Sequence, residues 1–93
     1  MSIIAEQDKL RKDIYKILTT LGMKPAESCN ASSSTRNGIH RICRYYFNKD
    51  YDNWGVYQYY ISVDVPVNYT YPYLLGLVWN EVWKKIRVDK PYK

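Results

Sequence analysis

Apolar residues recur at two different periods along this 93-residue chain, and the change of period divides it into elements. Leu10, Ile14, Ile17, Leu18 and Leu21 fall on one stripe at the 3.6-residue repeat, which predicts an amphipathic helix. Ile3 and Tyr15 extend or flank that stripe. Ser2 is placed to cap it, and Glu6 and Asp8 suit the positive end of its dipole. Gly22 is placed for a left-handed stop, with Pro25 soon after. Lys9, Arg11, Lys12, Asp13 and Lys16 form the outward face.

From residue 39 the period changes to two. In Ile39–Asn48 one phase reads Ile39, Arg41, Cys43, Tyr45, Phe47, and the other reads His40, Ile42, Arg44, Tyr46, Asn48. The first phase is the more apolar and is expected to face the core. Val56–Val65 alternates cleanly, with Tyr57, Tyr59, Ile61, Val63 and Val65 against Gln58, Tyr60, Ser62 and Asp64. The two stretches, joined by a turn-rich segment at Lys49–Gly55, are expected to pair as an antiparallel hairpin, and Pro66 ends the second strand. A second helix follows. Thr70 caps it, Pro72 sits in its first turn, and Leu75, Val78, Trp79, Val82 and Ile86 give its buried stripe, widened by Leu74 and Trp83. Lys84, Lys85 and Arg87 complement the negative end of its dipole, and Pro91 bars continuation.

Between Pro25 and Gly38 the chain is small and polar, and two readings compete: one long flexible loop, or a short edge strand near Met23–Cys29 followed by a mobile Ser-rich turn at about 31–38. We favour the second. The order is then α-β-β-β-α with an uncertain first strand, in a single domain over residues 1–93. The economical architecture is α+β, with two helices packed on one face of a small antiparallel sheet. The other face is left bare, displaying His40, Ile42, Arg44, Tyr46, Gln58, Tyr60 and Ser62.

Composition narrows the class. No apolar run is long enough for a membrane span, and 46% hydrophobic residues are too many for a disordered tail. The N-terminal stretch has neither the basic nor the apolar segment of a signal peptide, so the chain is read as reduced and cytoplasmic. The sequons at Asn30 and Asn68 are read as chance matches, and Cys29 and Cys43 can bond only if the fold brings them together.

Catalytic, metal and cofactor chemistry find no footing. The lone histidine, His40, lies three residues from Cys43 on a strand, so the two point to opposite faces. One His and two Cys on separate segments lack the paired spacing of zinc ligands. Asp50 and Asp52 are turn residues, and no Gly-rich loop precedes a helix. The expectation is a non-enzymatic protein without a cofactor.

Binding is better supported. Aromatic residues make up 16% of the chain, and the formal charge is +5. Arg44 and His40 beside Tyr46, Gln58 and Tyr60 on a bare sheet face are what a single-stranded nucleic-acid platform needs, with Lys9, Arg11, Lys12, Lys16 and Arg36 as further basic surface. The element order also resembles the double-stranded RNA-binding domain. That family has a Lys pair at the start of its last helix and a Gly-Pro-x-His loop. Here Lys84 and Lys85 fall at the helix end, and the loop reads Gly38-Ile39-His40, so no site residue is carried over. Alternatively, Tyr51, Trp54, Tyr69, Tyr71 and Tyr73, all in or near turns, form an interface for another protein or for a second copy of the chain. In size and character the chain resembles accessory and inhibitor proteins of phages and mobile elements, anti-CRISPR and other anti-defence proteins among them. The reading is an inhibitor or adaptor, in the host cytoplasm if viral, that docks on a protein or ribonucleoprotein partner. The alternative is a basic domain that binds RNA or DNA directly. Positive charge argues against DNA mimicry and for an acidic groove or a guide or target strand.

Overall fold

A computed structural model describes residues 3–26, 32–49 and 59–87, with side chains from residue 7. It is an α+β fold in the order α-β-β-β-β-α, with both helices packed against one antiparallel sheet. Ser2, Cys29, Tyr51, Trp54 and Gln58 lie outside the described residues.

Helix α1 (Ile3–Thr20) forms where the periodicity places it. Leu10, Ile14, Ile17 and Leu18 are fully buried, and Leu21 flanks them. Gly22 adopts a φ of 84°, and the amides of Leu21 and Gly22 donate to the carbonyls of Ile17 and Thr19 at 2.9 and 3.0 Å. Two otherwise orphaned carbonyls are thereby satisfied at the helix end.

The polar stretch that follows holds two short strands, β1 (Met23–Pro25) and β2 (Ser32–Arg36). This corrects the reading of 31–38 as a mobile turn. Asn37 and Gly38 alone make the turn, with φ of 54° and 76°, and Arg36 pairs with Ile39 across it. Two successive positive φ values define the hairpin connection whose twist matches that of the strands it joins.

Strand β3 (Ile39–Lys49) is the centre of the sheet. Its outer half pairs with β2, its inner end with β1, and its other edge with β4 (Tyr59–Pro66). Ile42 pairs with both Ser33 and Val63, and Phe47 with both Pro25 and Tyr59, so β1 and β2 lie end to end on the edge opposite β4. The described sheet is thus three rows wide, with β1 and β2 sharing one row.

The register of β3 against β4 shifts between Ile42 and Tyr45. Ile42 pairs with Val63 and Tyr45 with Ile61, leaving Cys43 and Arg44 opposite Ser62 alone. This is a β-bulge, and Arg44 carries it with a φ of 53°. The amide of Arg44 donates to Ser62 Oγ at 3.2 Å in place of a ladder bond. Because one residue is added, the inward phase changes along the strand. His40 and Ile42 point inward before the bulge, and Tyr45 and Phe47 after it. The single inward phase read from the sequence therefore holds for Tyr45 and Phe47 only. Ile39 and Arg41 are exposed, and Cys43 is half-buried.

Helix α2 (Tyr71–Lys85) starts at Thr70, whose hydroxyl accepts from the Tyr73 amide at 3.4 Å, with proline in the first turn. Leu74, Val78 and Val82 are its buried line, while Leu75, Trp79 and Ile86 are half-buried flanks and Trp83 is exposed. The stripe is thus centred one position earlier than Leu75. Leu74, Val78 and Val82, the α1 stripe, Ile42, Tyr45 and Phe47 of β3 and Ile61, Val63 and Val65 of β4 make one core, with Leu75 and Ile86 packed against it.

The left-handed residue gives a direct test. Arg44→Gly relieves the backbone without touching the core and should leave the unfolding free energy, followed by urea, within about 1 kcal/mol of the parent. Arg44→Val forces a β-branched side chain into the same conformation and should lower stability by roughly 1–3 kcal/mol. Equal effects of the two substitutions would exclude a left-handed residue 44.

Candidate binding surface

The bare face of the sheet is built from rows set by the register. Arg36, Ile39 and Pro66 form one row, Ser34, Arg41 and Asp64 the next, then Cys43 with Ser62, and finally Tyr46 with Tyr60. In the second row Arg41 Nε and Nη2 donate to the two Asp64 oxygens at 3.0 and 3.1 Å. That bidentate pair neutralises the middle of the face. Open grooves of about 480 and 790 Å³ flank it, one reaching Leu77 and Glu81 of α2, the other reaching Thr35 and Asn37. Their charges are mixed. Among the described residues no three His, Cys, Asp or Glu side chains come together as metal ligands. Among the same residues no helix is long and apolar enough to cross a membrane.

The end of the face beyond the bulge is different. Tyr46 and Tyr60 are register partners with ring centroids 5.8 Å apart and planes at 57°. Tyr60 is 42% exposed. Lys85 Nζ, from the last turn of α2, lies 5.1 Å from the Tyr60 centroid, and Arg44 Cζ lies 6.0 Å from it. Four ion pairs occur among the described residues, Lys9–Asp13, Arg11–Asp8, Arg41–Asp64 and Lys84–Glu81, and neither Arg44 nor Lys85 belongs to one. Two cations beside an exposed phenol ring, with no carboxylate paired to either among the described residues, make this corner a positive, aromatic part of the face. The bulge matters to it, because in an unbroken strand residues 44 and 46 would share the face of residue 42, which is buried.

Three of the residues expected on this face, Arg44, Tyr46 and Tyr60, are therefore brought together, and Lys85 joins them. Sequence reasoning missed Lys85 because its place at a helix C-terminus already explained its charge. His40 is corrected. It is 1% exposed on the core side of the sheet, with Nδ1 2.6 Å from Thr35 Oγ1. Ile42 is likewise buried.

His40 ends a chain of polar side chains that docks the Ser-rich strand on α1. Gln7 Nε2 donates to Thr35 Oγ1 at 2.7 Å, and Ser33 Oγ donates to Gln7 Oε1 at 3.2 Å. Arg11 donates to Ser33 Oγ and, through Nη1, to Asp8 Oδ1 at 3.3 Å. Arg11 is thus a structural cation rather than open basic surface.

The helix cations separate in the same way. Lys9 is held by Asp13 at 3.1 Å and by the Tyr69 hydroxyl at 3.3 Å. Lys12 and Lys16 are exposed, each two residues on from a buried position of the stripe, so they lie across α1 from the sheet. They do not share a surface with the Tyr60 corner. Arg36 is exposed at the far end of the bare face.

Of the turn aromatics, Tyr71 and Tyr73 are exposed at the start of α2, at 38% and 53%. Tyr69 is half-buried against the core, and its hydroxyl donates to Asp13 Oδ2 at 2.6 Å. It joins the approach to α2 to the outer side of α1. Burial, and then the bond to Asp13, push the Tyr69 phenol up to about 12. The bond to Asp13, reinforced by Tyr69, raises the Lys9 ammonium above its ordinary value.

The chain matches no family model, no curated protein and no solved structure.

The tyrosine carries a pH signature. Its phenol ionises near 10 when unfolded and about 12 when folded, so the folded state holds the extra proton between those values. The associated stability is complete below pH 10 and is lost as pH rises through 12. The stability difference between the parent and Tyr69→Phe, followed by urea unfolding, should therefore shrink over that window. A difference that stays constant from neutral pH to 12 would contradict a phenol held protonated by burial and the Asp13 bond.

Proposed function

We propose that this chain is a non-enzymatic binding protein, an inhibitor or adaptor that docks on a protein or ribonucleoprotein partner through the Tyr60 corner of its bare sheet face. The observation that carries the reading is the pair of cations, Arg44 and Lys85, set against an exposed ring without a carboxylate partner among the described residues. Such a corner suits an anionic surface. Each cation–ring contact at an exposed site is worth only about 0.5–1 kcal/mol, so holding these side chains is a weak structural motive. Aromatic rings held by a sheet and ringed by charge are a common form of interface anchor. The finer assignment, an anti-defence protein of a phage or mobile element working in the host cytoplasm, belongs to the same proposal. Its support is the basic, aromatic character of the chain.

A charge-matched comparison tests the reading. Arg44→Asn with Lys85→Gln removes two positive charges from the corner, and Lys12→Gln with Lys16→Gln removes two from the far side of α1. Asparagine tolerates the left-handed conformation at residue 44. On a sulfonate cation-exchange resin the corner variant should elute at clearly lower salt than the helix variant. Equal shifts, or a larger shift for the helix variant, would overturn docking through this corner.

A further inference from the structure

We propose that the ligand of the Tyr60 corner is a single-stranded nucleic acid, free or exposed on a ribonucleoprotein, with a base set against the Tyr46–Tyr60 rings and its flanking phosphates on Arg44 and Lys85. The inference rests on the docking reading above and names the partner chemistry of the same site.

Three features select this ligand. The first is the combination of ring and charge. A nucleotide carries a flat π face and an anion one sugar apart, and the corner offers both partners within 6.0 Å of one centroid. An acidic peptide would satisfy the two cations and leave the tyrosine faces without a matching plane. A duplex presents phosphates and groove edges while its base faces stay stacked on one another. The second is the hydroxyl at the bulge. Ser62 Oγ accepts from the Arg44 amide at 3.2 Å, so its own proton remains to be donated outward, beside the rings, to a phosphate or sugar oxygen. The third is the polarity of the rest of the face. The Arg41–Asp64 pair cancels its charge in the row between this corner and Arg36 at the far end, so the two cations of the corner form a short positive patch of their own. A site of that size suits a short segment of single strand rather than an extended track.

The test uses the full chain and fluorescence anisotropy. Labelled oligothymidylate of about twelve nucleotides, within the site sizes usual for single strands, is compared with a duplex of the same length and with oligoglutamate of equal charge. The single strand should bind at least about tenfold more tightly than either competitor, a margin that ring stacking supplies. Tyr60→Leu should cost about tenfold on oligothymidylate and leave oligoglutamate unchanged. Arg44→Asn with Lys85→Gln should reduce the slope of log affinity against log salt by about 1.4, since each phosphate contact on a single strand contributes about 0.7. Lys85→Gln alone, at an exposed helix end, should give half of that reduction and guards against misfolding at the bulge. Equal or tighter binding of oligoglutamate, with Tyr60→Leu without effect, overturns the nucleic-acid inference and leaves anionic docking standing. Absence of binding to all three probes at low salt, or binding that Arg44→Asn with Lys85→Gln does not alter, overturns both.

Discussion

The whole sheet depends on one residue, Arg44, held in the left-handed conformation where two residues of β3 face one of β4. A regular strand has a single inward phase. With that constraint, either His40 and Ile42 or Tyr45 and Phe47 would face water, and the core would lose half of its central strand. The extra residue lets both pairs face inward, and all four are at most 1% exposed. The cost is a strained backbone at a non-glycine residue and a broken ladder, which the Ser62 hydroxyl repairs in part. On the opposite edge the Ala26 amide donates to the Tyr46 carbonyl at 2.9 Å, and Ser32 pairs with Cys43.

The same residue links the fold to the proposed function. Beyond the bulge the outward phase is that of Tyr46, opposite Tyr60, with the Arg44 side chain beside it. Bulges bend a strand and re-aim side chains, and they are common next to binding sites. Helix α2 completes the corner by ending where Lys85 reaches the Tyr60 ring. The other edge of the sheet is held differently. There the inward positions of β2 are Ser33 and Thr35, which meet Gln7 and Arg11 of α1 through hydrogen bonds rather than apolar contact. Thr35 Oγ1, which accepts from Gln7, also bonds His40 Nδ1, so this nitrogen of a buried imidazole is met by a strand that itself has no apolar side chain.

Much of this architecture is legible in the residues. Both helices, their caps at Gly22 and Thr70, the antiparallel pairing of residues 39–48 with the following strand and the two-layer arrangement follow from periodicity and capping chemistry. Two features were harder to read for separate physical reasons. Strand β2 has serine where strands favour branched or aromatic residues, because its buried side is hydrogen-bonded and not packed. The signal that marks it is Asn37-Gly38, a dipeptide suited to two successive positive φ values. The bulge is encoded as a change of parity, with apolar Ile42 on one phase and Tyr45 and Phe47 on the other, and a search for one continuous alternation passes over it. Of the candidate surface, Tyr60 is readable because β4 alternates cleanly, and Arg44 and Tyr46 because the inward phase set by Tyr45 and Phe47 holds beyond the bulge. His40 was misplaced by the parity change, and Lys85 depends on where α2 ends in space.

The most direct measurement of the central claim is a solution NMR map of side-chain contacts along β3. The bulge predicts nuclear Overhauser contacts from both Ile42 and Tyr45 to core methyls of α1 and α2, together with a Tyr46–Tyr60 ring contact and a positive φ at Arg44. A strand with unbroken alternation, in which Cys43 and Tyr45 contact the helices while Ile42 faces solvent, would contradict it.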